Sequence, residues 1–203
     1  KSTLINLVPR FYDATEGEVI VDGINVKNYT QEALHNKLGY VPQKAVMFNG
    51  TVTSNVTYGE NGRAPAEKDD IIEAVSVAQA EEFVMKMDGT YDAKIAQGGT
   101  NVSGGQKQRL AIARAICRRP EIYVFDDSFS ALDLKTDAAL RKALSQDTEN
   151  MTVFLVSQRA SSVMHADKIL VLDDGKMAGY GNHEELLGEC GVYQEICRSQ
   201  FSK

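Results

Sequence analysis

The stretch of residues 101–133 holds the side chains most suited to chemistry and reads NVSGGQKQRLAIARAICRRPEIYVFDDSFSALD. Ser103 precedes two glycines and a run whose apolar residues recur at helical spacing, so the pattern predicts a helix that Ser103 caps. Gly104 and Gly105 leave backbone N–H groups uncovered at the start of that helix. Because a helix N-terminus carries unpaired N–H groups and a positive partial charge, this stretch predicts a phosphate-binding end.

An unbroken apolar run follows from Ile122 to Phe125 and ends in two carboxylates, Asp126 and Asp127. A short apolar run without polar alternation is typical of a strand buried on both faces of a parallel sheet. Ligands of open α/β sheets bind at the carboxyl ends of the strands, where carboxylates can hold Mg²⁺ through water. The two segments together therefore predict a site for phosphate and magnesium.

Both segments resemble motifs of the ATP-binding domains of ABC transporters. VSGGQKQRLAIARA resembles the signature motif, VFDD resembles the Walker B motif and SALD resembles the D-loop. The resemblance implies a P-loop α/β fold with ATP and Mg²⁺ as cofactors. The residues it assigns to ATP binding in this part of the chain are Ser103, Gly104, Gly105, Gln106 and Asp133. An ordinary glycine-capped helix followed by a core strand is the alternative interpretation.

The first residues of the chain resemble the end of a phosphate-binding loop, GxxxxGK(S/T). The glycines of such a loop are not in the sequence, so we expect a chain truncated within the loop. The resemblance places Lys1 and Thr3 at the nucleotide, with Lys1 at the β- and γ-phosphates. Gln43, after the apolar run 38–42, matches the family's Q-loop glutamine and is assigned to the nucleotide site. The predicted magnesium-binding residues are Ser2, Gln43 and Asp126.

Two positions depart from the family pattern in the groups nearest the chemistry. Asp127 stands where ABC ATPases that hydrolyse ATP well usually have Glu, and Gln158 stands where they have His. The Asp carboxylate is one methylene shorter, which reduces its reach to the attacking water by about an ångström. Glutamine cannot carry a positive charge or transfer a proton. We therefore expect slow ATP hydrolysis at the site in which these two residues take the catalytic positions. The alternative is that both substitutions are tolerated and that the site hydrolyses ATP at a modest rate.

This combination resembles the degenerate half of a heterodimeric exporter of the multidrug or lipid type. In the family, two ATP-binding domains associate head to tail, and ATP lies between the Walker motifs of one and the signature of the other. We expect a second ABC domain as partner, a transmembrane domain fused upstream, and a location at the cytoplasmic face of the cell membrane. A non-hydrolytic, nucleotide-gated binding module and a soluble ABC-type ATPase are the alternatives, and the exporter-like segments YVPQ and MFNGTVTSNVTYG disfavour the second.

The composition is that of one globular domain, with 203 residues of which 43% are hydrophobic and 25% charged. The net charge of −6 argues against a nucleic acid partner, and we interpret the basic residues between 107 and 119 as a solvated helix face. Three cysteines without metal-ligand spacing predict reduced thiols in a cytosolic compartment. No apolar stretch approaches the ~20 residues of a membrane-spanning helix.

The apolar patterns predict an α/β fold in which helices cover a mainly parallel sheet. A helical subdomain is expected at residues 45–118 within one ABC ATPase domain of residues 1–203. Turn residues at Asp22-Gly23 and Asp174-Gly175 predict two small antiparallel hairpins. Further helices are expected at residues 31–36, 67–80, 81–87 and 135–145, and a further strand at residues 152–157.

Overall fold

The computed structural model describes residues 1–148 and 151–201. They divide into two compact units: a larger one of residues 2–156, and a smaller one that contains Lys1 and the residues from Ser157 onward. The larger unit holds a parallel sheet with helices on its faces, which confirms the predicted α/β class.

In the described part of the larger unit, three parallel strands form the sheet. They are β3 (Leu38–Val41), β6 (Ile122–Asp126) and β7 (Thr152–Val156), in the order β3-β6-β7. All five residues of β6 are buried, as the apolar run predicted. A middle strand covered on both faces gains nothing from polar alternation, because neither face meets water.

The outer strand β7 is apolar but is exposed at Thr152, Val153 and Phe154. Among the described residues no strand pairs with its outer edge, so its side chains have neighbours on one flank only. The sequence pattern predicts the strand, but it does not tell how well neighbouring elements cover it.

The two faces of β6 contact different helices. Val124 belongs to the apolar cluster that contains the end of α1 (Ser2–Ile5). Phe125 belongs to the larger cluster around α6 (Gly104–Cys117). Because side chains alternate along a strand, Asp126 lies on the same face as Val124, the face of α1.

Short elements connect the strands of the larger unit. The hairpin β1 (Ile20–Val21) and β2 (Ile24–Asn25) turns at Asp22 and Gly23, both with positive φ, as the sequence predicted. A second antiparallel pair joins β4 (Gly50–Thr51) to β5 (Lys94–Ile95). The remaining helices are α2 (Gln31–Asn36), α3 (Val52–Val56), α4 (Lys68–Val77), α5 (Glu81–Met85) and α7 (Leu134–Asp147), with single 3-10 turns at Val26–Asn28, Thr90–Asp92 and Gln97–Gly99.

The basic residues of α6 are not a solvated face, and that prediction was wrong. Arg114 donates from Nε to the carbonyl of Asn55 at 2.7 Å and from its guanidinium to the carbonyl of Val46 at 3.0 Å. Arg109 donates to the carbonyl of Gln79 at 2.6 Å. The helix lies beside irregular segments whose backbone carbonyls need donors, and the arginines supply them.

The smaller unit, as far as residue 201, contains a hairpin and three helices. They are α8 (Ala160–Val163), β8 (Ile169–Asp173), β9 (Lys176–Gly181), α9 (His183–Glu189) and α10 (Gly191–Phe201). The hairpin turns at Asp174 and Gly175, as predicted. Its own apolar cluster includes Ile169, Val171 and Leu186. The three cysteines of the sequence are buried free thiols.

No helix in the described ranges has both the length and the apolar character needed to cross a membrane.

Candidate nucleotide and magnesium site

Ser2 and Asp126 meet at the carboxyl end of the middle strand. The Ser2 hydroxyl donates to Asp126 Oδ1 at 2.9 Å. Asp126 is the last residue of β6 and is only 4% exposed, and Ser2 is the first residue of α1. A buried carboxylate is costly unless it is hydrogen-bonded, and the hydroxyl provides a bond. Two of the three predicted magnesium-binding residues thus lie in direct contact.

Gln43 and Asp127 form a second contact at the neighbouring strand ends. Gln43 Nε2 donates to Asp127 Oδ2 at 3.1 Å. Asp127 has a left-handed backbone (φ 49°), which Asp adopts more readily than most residues. Its N–H donates to the carbonyl of Val156 at 3.0 Å, and its carbonyl accepts from the hydroxyl of Ser130 at 2.8 Å. These bonds hold the backbone from which the carboxylate projects.

Tyr40 lies beside Asp126 and Asn6 lies beside Tyr40, and neither residue was predicted from the sequence. The Tyr40 hydroxyl donates to Asn6 Oδ1 at 2.8 Å, and its oxygen lies 3.5 Å from Asp126 Oδ2. Burial, and secondly the charge of Asp126, raise the pKa of Tyr40 to about 12. The hydroxyl therefore keeps its proton at neutral pH. One feature of the sequence could have indicated Tyr40: it is a tyrosine within an otherwise apolar strand whose end lies at the site.

Ser103 caps α6, as predicted. Its Oγ accepts from the Gln106 N–H at 3.3 Å, and Gln106 Oε1 accepts from the Ser103 N–H at 2.8 Å, which forms a capping box. A hydroxyl that accepts one bond still has its own O–H to donate. A side chain added at Gly104 would meet no atom within 4 Å, whereas one at Gly105 would lie 3.4 Å from the carbonyl of Ala131. Gly104 therefore borders open space.

Asp133 serves as the cap of α7. Its two oxygens accept from the N–H of Thr136 at 3.0 Å and from the hydroxyl of Thr136 at 2.7 Å. These bonds, the backbone one first, lower the pKa of Asp133 below its usual range. The structure thus gives this carboxylate a local role, and its predicted contact with ATP stays a prediction.

Lys1 and Gln158 belong to the smaller unit. Lys1 Nζ donates to the carbonyl of Ser157 at 3.0 Å. Gln158 is exposed, and its carbonyl accepts from Gln200 Nε2 at 2.9 Å. Thr3 lies exposed on α1 of the larger unit.

The larger unit therefore brings Ser2 into contact with Asp126, and Gln43 into contact with Asp127, the next residue of the chain. Within the described part of the chain no hydrogen bond joins them to the capped end of α6. Hydroxyl, carboxylate and amide oxygens are the hard donors that Mg²⁺ prefers, so the residues present fit this ion. The described residues contain no group of three or more His, Cys, Asp or Glu side chains that could hold a metal ion by themselves. Mg²⁺ in nucleotide sites takes its other ligands from water and phosphate.

A parallel sheet between helices, with a serine and an aspartate in contact at the end of its middle strand, has the architecture of a nucleotide-binding protein of the P-loop type. Residues 1–130 match the sequence model of the family described as ABC transporter, and the chain belongs to that family.

Several relatives match almost the whole chain. An uncharacterized ABC transporter ATP-binding protein of Mycobacterium tuberculosis is 48% identical over 98% of the chain and 34% of the relative. The uncharacterized ABC transporter ATP-binding protein YfiB of Bacillus subtilis is 42% identical over 100% of the chain and 35% of the relative. A putative multidrug export ATP-binding/permease protein of Staphylococcus aureus is 39% identical over 97% of the chain and 33% of the relative.

The structure of a bacterial Atm1-family ABC exporter with ATP bound superimposes with a TM-score of 0.94 at 36% identity. It covers 100% of this chain and 35% of the exporter chain. The chain spans about a third of the length of the curated relatives it matches. It is therefore an ABC transporter ATP-binding domain homologous to those of ABC exporters, and domains of this kind bind ATP, generally with Mg²⁺, and are generally ATPases.

Proposed function

We propose that the chain is the ATPase domain of an ABC exporter, in which ATP binding and hydrolysis at a head-to-tail dimer interface drive export of a substrate across a membrane. The observation that carries this proposal is the contact of Ser2 with Asp126 beside the contact of Gln43 with Asp127. Further support comes from the Staphylococcus aureus relative, whose name includes a permease, and from the neighbouring exporter structure, which has ATP bound.

In the proposed site Ser2, Asp126 and Gln43 hold Mg²⁺, and Lys1 and Thr3 contact the phosphates of ATP. Gln43 uses Nε2 to donate to the Asp127 carboxylate, which leaves its Oε1 as the oxygen available to a cation. When bound, Mg²⁺ offsets the negative charge that gathers on the phosphates. Asp126 brings a full negative charge to the ion from a buried, hydrogen-bonded position.

Hydrolysis at this site is proposed to be slow, with Asp127 and Gln158 at the catalytic positions. The Asp127 carboxylate is one methylene shorter than that of a glutamate and accepts from Gln43, and the Asp127 backbone is hydrogen-bonded to Val156 and Ser130. An essentially non-hydrolytic binding module is the second candidate, because Ser2, Gln43 and Asp126 retain the chemistry of ion binding while the two catalytic positions have changed.

The partner is proposed to be a second ABC domain in a heterodimer. Ser103, Gly104, Gly105 and Gln106 at the start of α6 then contact the ATP held by the partner, together with Asp133. The open space at Gly104 supports this role, since a phosphate held by another chain needs close access to the backbone N–H groups.

We also propose that residues 45–118, which include α3 to α6, form a helical subdomain within an ABC ATPase domain that spans the chain. A transmembrane domain, fused upstream, is the proposed second partner and places the domain at the cytoplasmic face of the membrane.

An Asp126→Asn substitution tests the proposed magnesium site. The amide keeps the size and the acceptor for Ser2 but removes the charge that holds the cation. We expect the affinity of the full-length protein for ATP in the presence of Mg²⁺ to fall by at least about tenfold, measured by isothermal titration calorimetry.

The matched control is Asp173→Asn, which alters an exposed aspartate at the end of β8. It should leave the affinity for ATP with Mg²⁺ unchanged. Equal affinity in wild type and Asp126→Asn would show that Asp126 does not hold the ion. Measurement of ATP turnover in the same preparations separates the two candidate functions, because a slow ATPase turns ATP over and a non-hydrolytic binding module does not.

A further inference from the structure

The two oxygens of Asp126 have different neighbours. Oδ1 accepts from Ser2, whereas Oδ2 faces the Tyr40 hydroxyl at 3.5 Å. Tyr40 pairs with Val124 in the parallel register of β3 and β6, so Tyr40 and Asp126 project from the same face of the sheet. The carboxylate therefore lies between a hydroxyl from α1 and a hydroxyl from β3.

Asn6 offers the Tyr40 proton a second acceptor. Its Oδ1 accepts from Tyr40 at 2.8 Å, and its N–H donates to the carbonyl of Ser2 at 3.0 Å. Asn6 and Ser2 thus lie one helical turn apart, on the same side of Asp126. A phenol has one proton, so Tyr40 donates either to the neutral amide of Asn6 or to the charged carboxylate of Asp126.

The Tyr40 ring has little freedom to move away from this position. The ring of Phe11 lies edge-on to it with centroids 5.3 Å apart, and Tyr40 is partly buried against the cluster that contains Val124. A rotation of the O–H bond alone is sufficient to exchange the two acceptors. Hydrogen bonds to a charged acceptor are roughly twice as strong as those between neutral groups. The Tyr40 hydroxyl therefore donates to the Asp126 carboxylate instead of Asn6 once the carboxylate lies slightly closer.

We propose that Tyr40 is a positioning residue for the magnesium-binding carboxylate, and this inference rests on the proposed function. In the structure the Tyr40 hydroxyl donates to Asn6 Oδ1 at 2.8 Å; in the cation-bound site it turns to donate to Asp126 Oδ2 and holds the carboxylate so that Oδ1 stays beside the Ser2 hydroxyl and the cation. Asn6 is the alternative acceptor, which keeps the Tyr40 hydroxyl satisfied when the carboxylate is farther away.

A Tyr40→Phe substitution tests this role, because it removes one hydroxyl and keeps the ring. The affinity of the full-length protein for ATP is measured by calorimetry once with Mg²⁺ and once with EDTA. We expect the affinity with Mg²⁺ to fall about fivefold, the size typical of one lost hydrogen bond, and the affinity with EDTA to stay unchanged.

The matched control is Tyr29→Phe, since the Tyr29 hydroxyl donates to the carbonyl of Val21 at 3.1 Å, away from Asp126. This variant should bind ATP as wild type under both conditions. An equal loss with Mg²⁺ and with EDTA in Tyr40→Phe would indicate a merely structural role and overturn the proposal, as would an unchanged affinity with Mg²⁺. A wild-type protein whose ATP binding does not depend on Mg²⁺ would instead refute the proposed magnesium site itself.

Discussion

At the scale of single residues, one methylene separates Asp127 from the glutamate that usually follows the Walker B aspartate in this family. The structure holds the Asp127 backbone through Val156 and Ser130 and its carboxylate through Gln43. A longer side chain at this position gains reach without any movement of the backbone. The slow hydrolysis that we propose is therefore a matter of side-chain length and can be tested by restoring it.

Replacement of Asp127 by Glu and Gln158 by His should raise hydrolysis at this chain's own site. The longer carboxylate regains reach to water, and the imidazole can contact the γ-phosphate and accept charge. We expect about a tenfold gain, equivalent to about 1.4 kcal/mol of barrier, and a larger effect for the pair than for the sum of the single changes.

The measurement is steady-state ATPase activity of the heterodimer with the partner's own competent site inactivated. Asp173→Glu is the matched control, because it adds the same methylene at an exposed strand end outside the site. A turnover rate at the unaltered site that already equals that of the competent site would refute the idea of a degenerate site.

Residue types and motif resemblance together identified the site residues: Asp126 and Asp127 are carboxylates after an apolar run, and Ser2 and Gln43 match motifs of the family. They could not identify Tyr40. Its hydroxyl matters because β3 pairs with β6 in one particular register, and a register depends on contacts between strands distant in sequence.

At the scale of elements, α6 connects its own capped end to the segment that follows Gln43. Gln108 is buried and donates to the carbonyl of Pro42 at 3.1 Å, directly before Gln43. One turn and a half later, Arg114 donates to backbone carbonyls of the segment 46–55. The same helix thus orders both the start and the continuation of the Q-loop.

An Arg114→Lys substitution should lower the free energy of unfolding by about 2 kcal/mol. Arg114 makes three hydrogen bonds, two to Asn55 and one to Val46, and burial lowers its pKa. A lysine ammonium keeps the charge but cannot reproduce the planar set of donors, and the unpaired carbonyls carry the cost. Urea unfolding followed by circular dichroism gives the difference.

Arg119→Lys is the control, since Arg119 is exposed and forms surface ion pairs with Asp70 and Glu73. Such pairs contribute about 0–1 kcal/mol, so this variant should unfold close to wild type. Similar losses in Arg114→Lys and Arg119→Lys would contradict the anchoring role of Arg114.

Elements with strong local signals were predictable from the sequence. Ser103 followed by glycines and helical apolar spacing gave the start of α6, and the unbroken apolar run gave β6. The exposure of β7 and the hydrogen bonds of the α6 arginines to backbone carbonyls were not predictable, because both depend on which other segments lie alongside. The spacing of apolar residues shows which face of a helix or strand is buried, but not which element packs against that face.

At the scale of the whole molecule, the open end of α6 is the feature on which the proposed second ABC domain depends. A Cβ added at Gly104 would have no atom of another segment within 4 Å, so packing against the rest of the chain does not require a glycine there. Its φ is not in the left-handed region either, so backbone conformation does not require one. A close approach by a phosphate of the partner's ATP explains the residue under the proposed head-to-tail arrangement.

A Gly104→Leu substitution should therefore abolish most of the ATPase activity of the heterodimer while the chain still folds and binds ATP at its own site. The leucine side chain occupies the space that the γ-phosphate of the partner's ATP needs, and a displaced phosphate contact of this kind costs on the order of 100-fold in rate. Gly188→Leu is the matched control, because Gly188 also lies in a helix with open space around it, and its activity should stay at the wild-type level. Asp127→Asn, which alters only the slow site, should reduce the total activity far less than Gly104→Leu. Equal effects of Gly104→Leu and Asp127→Asn would show that α6 does not serve the competent site.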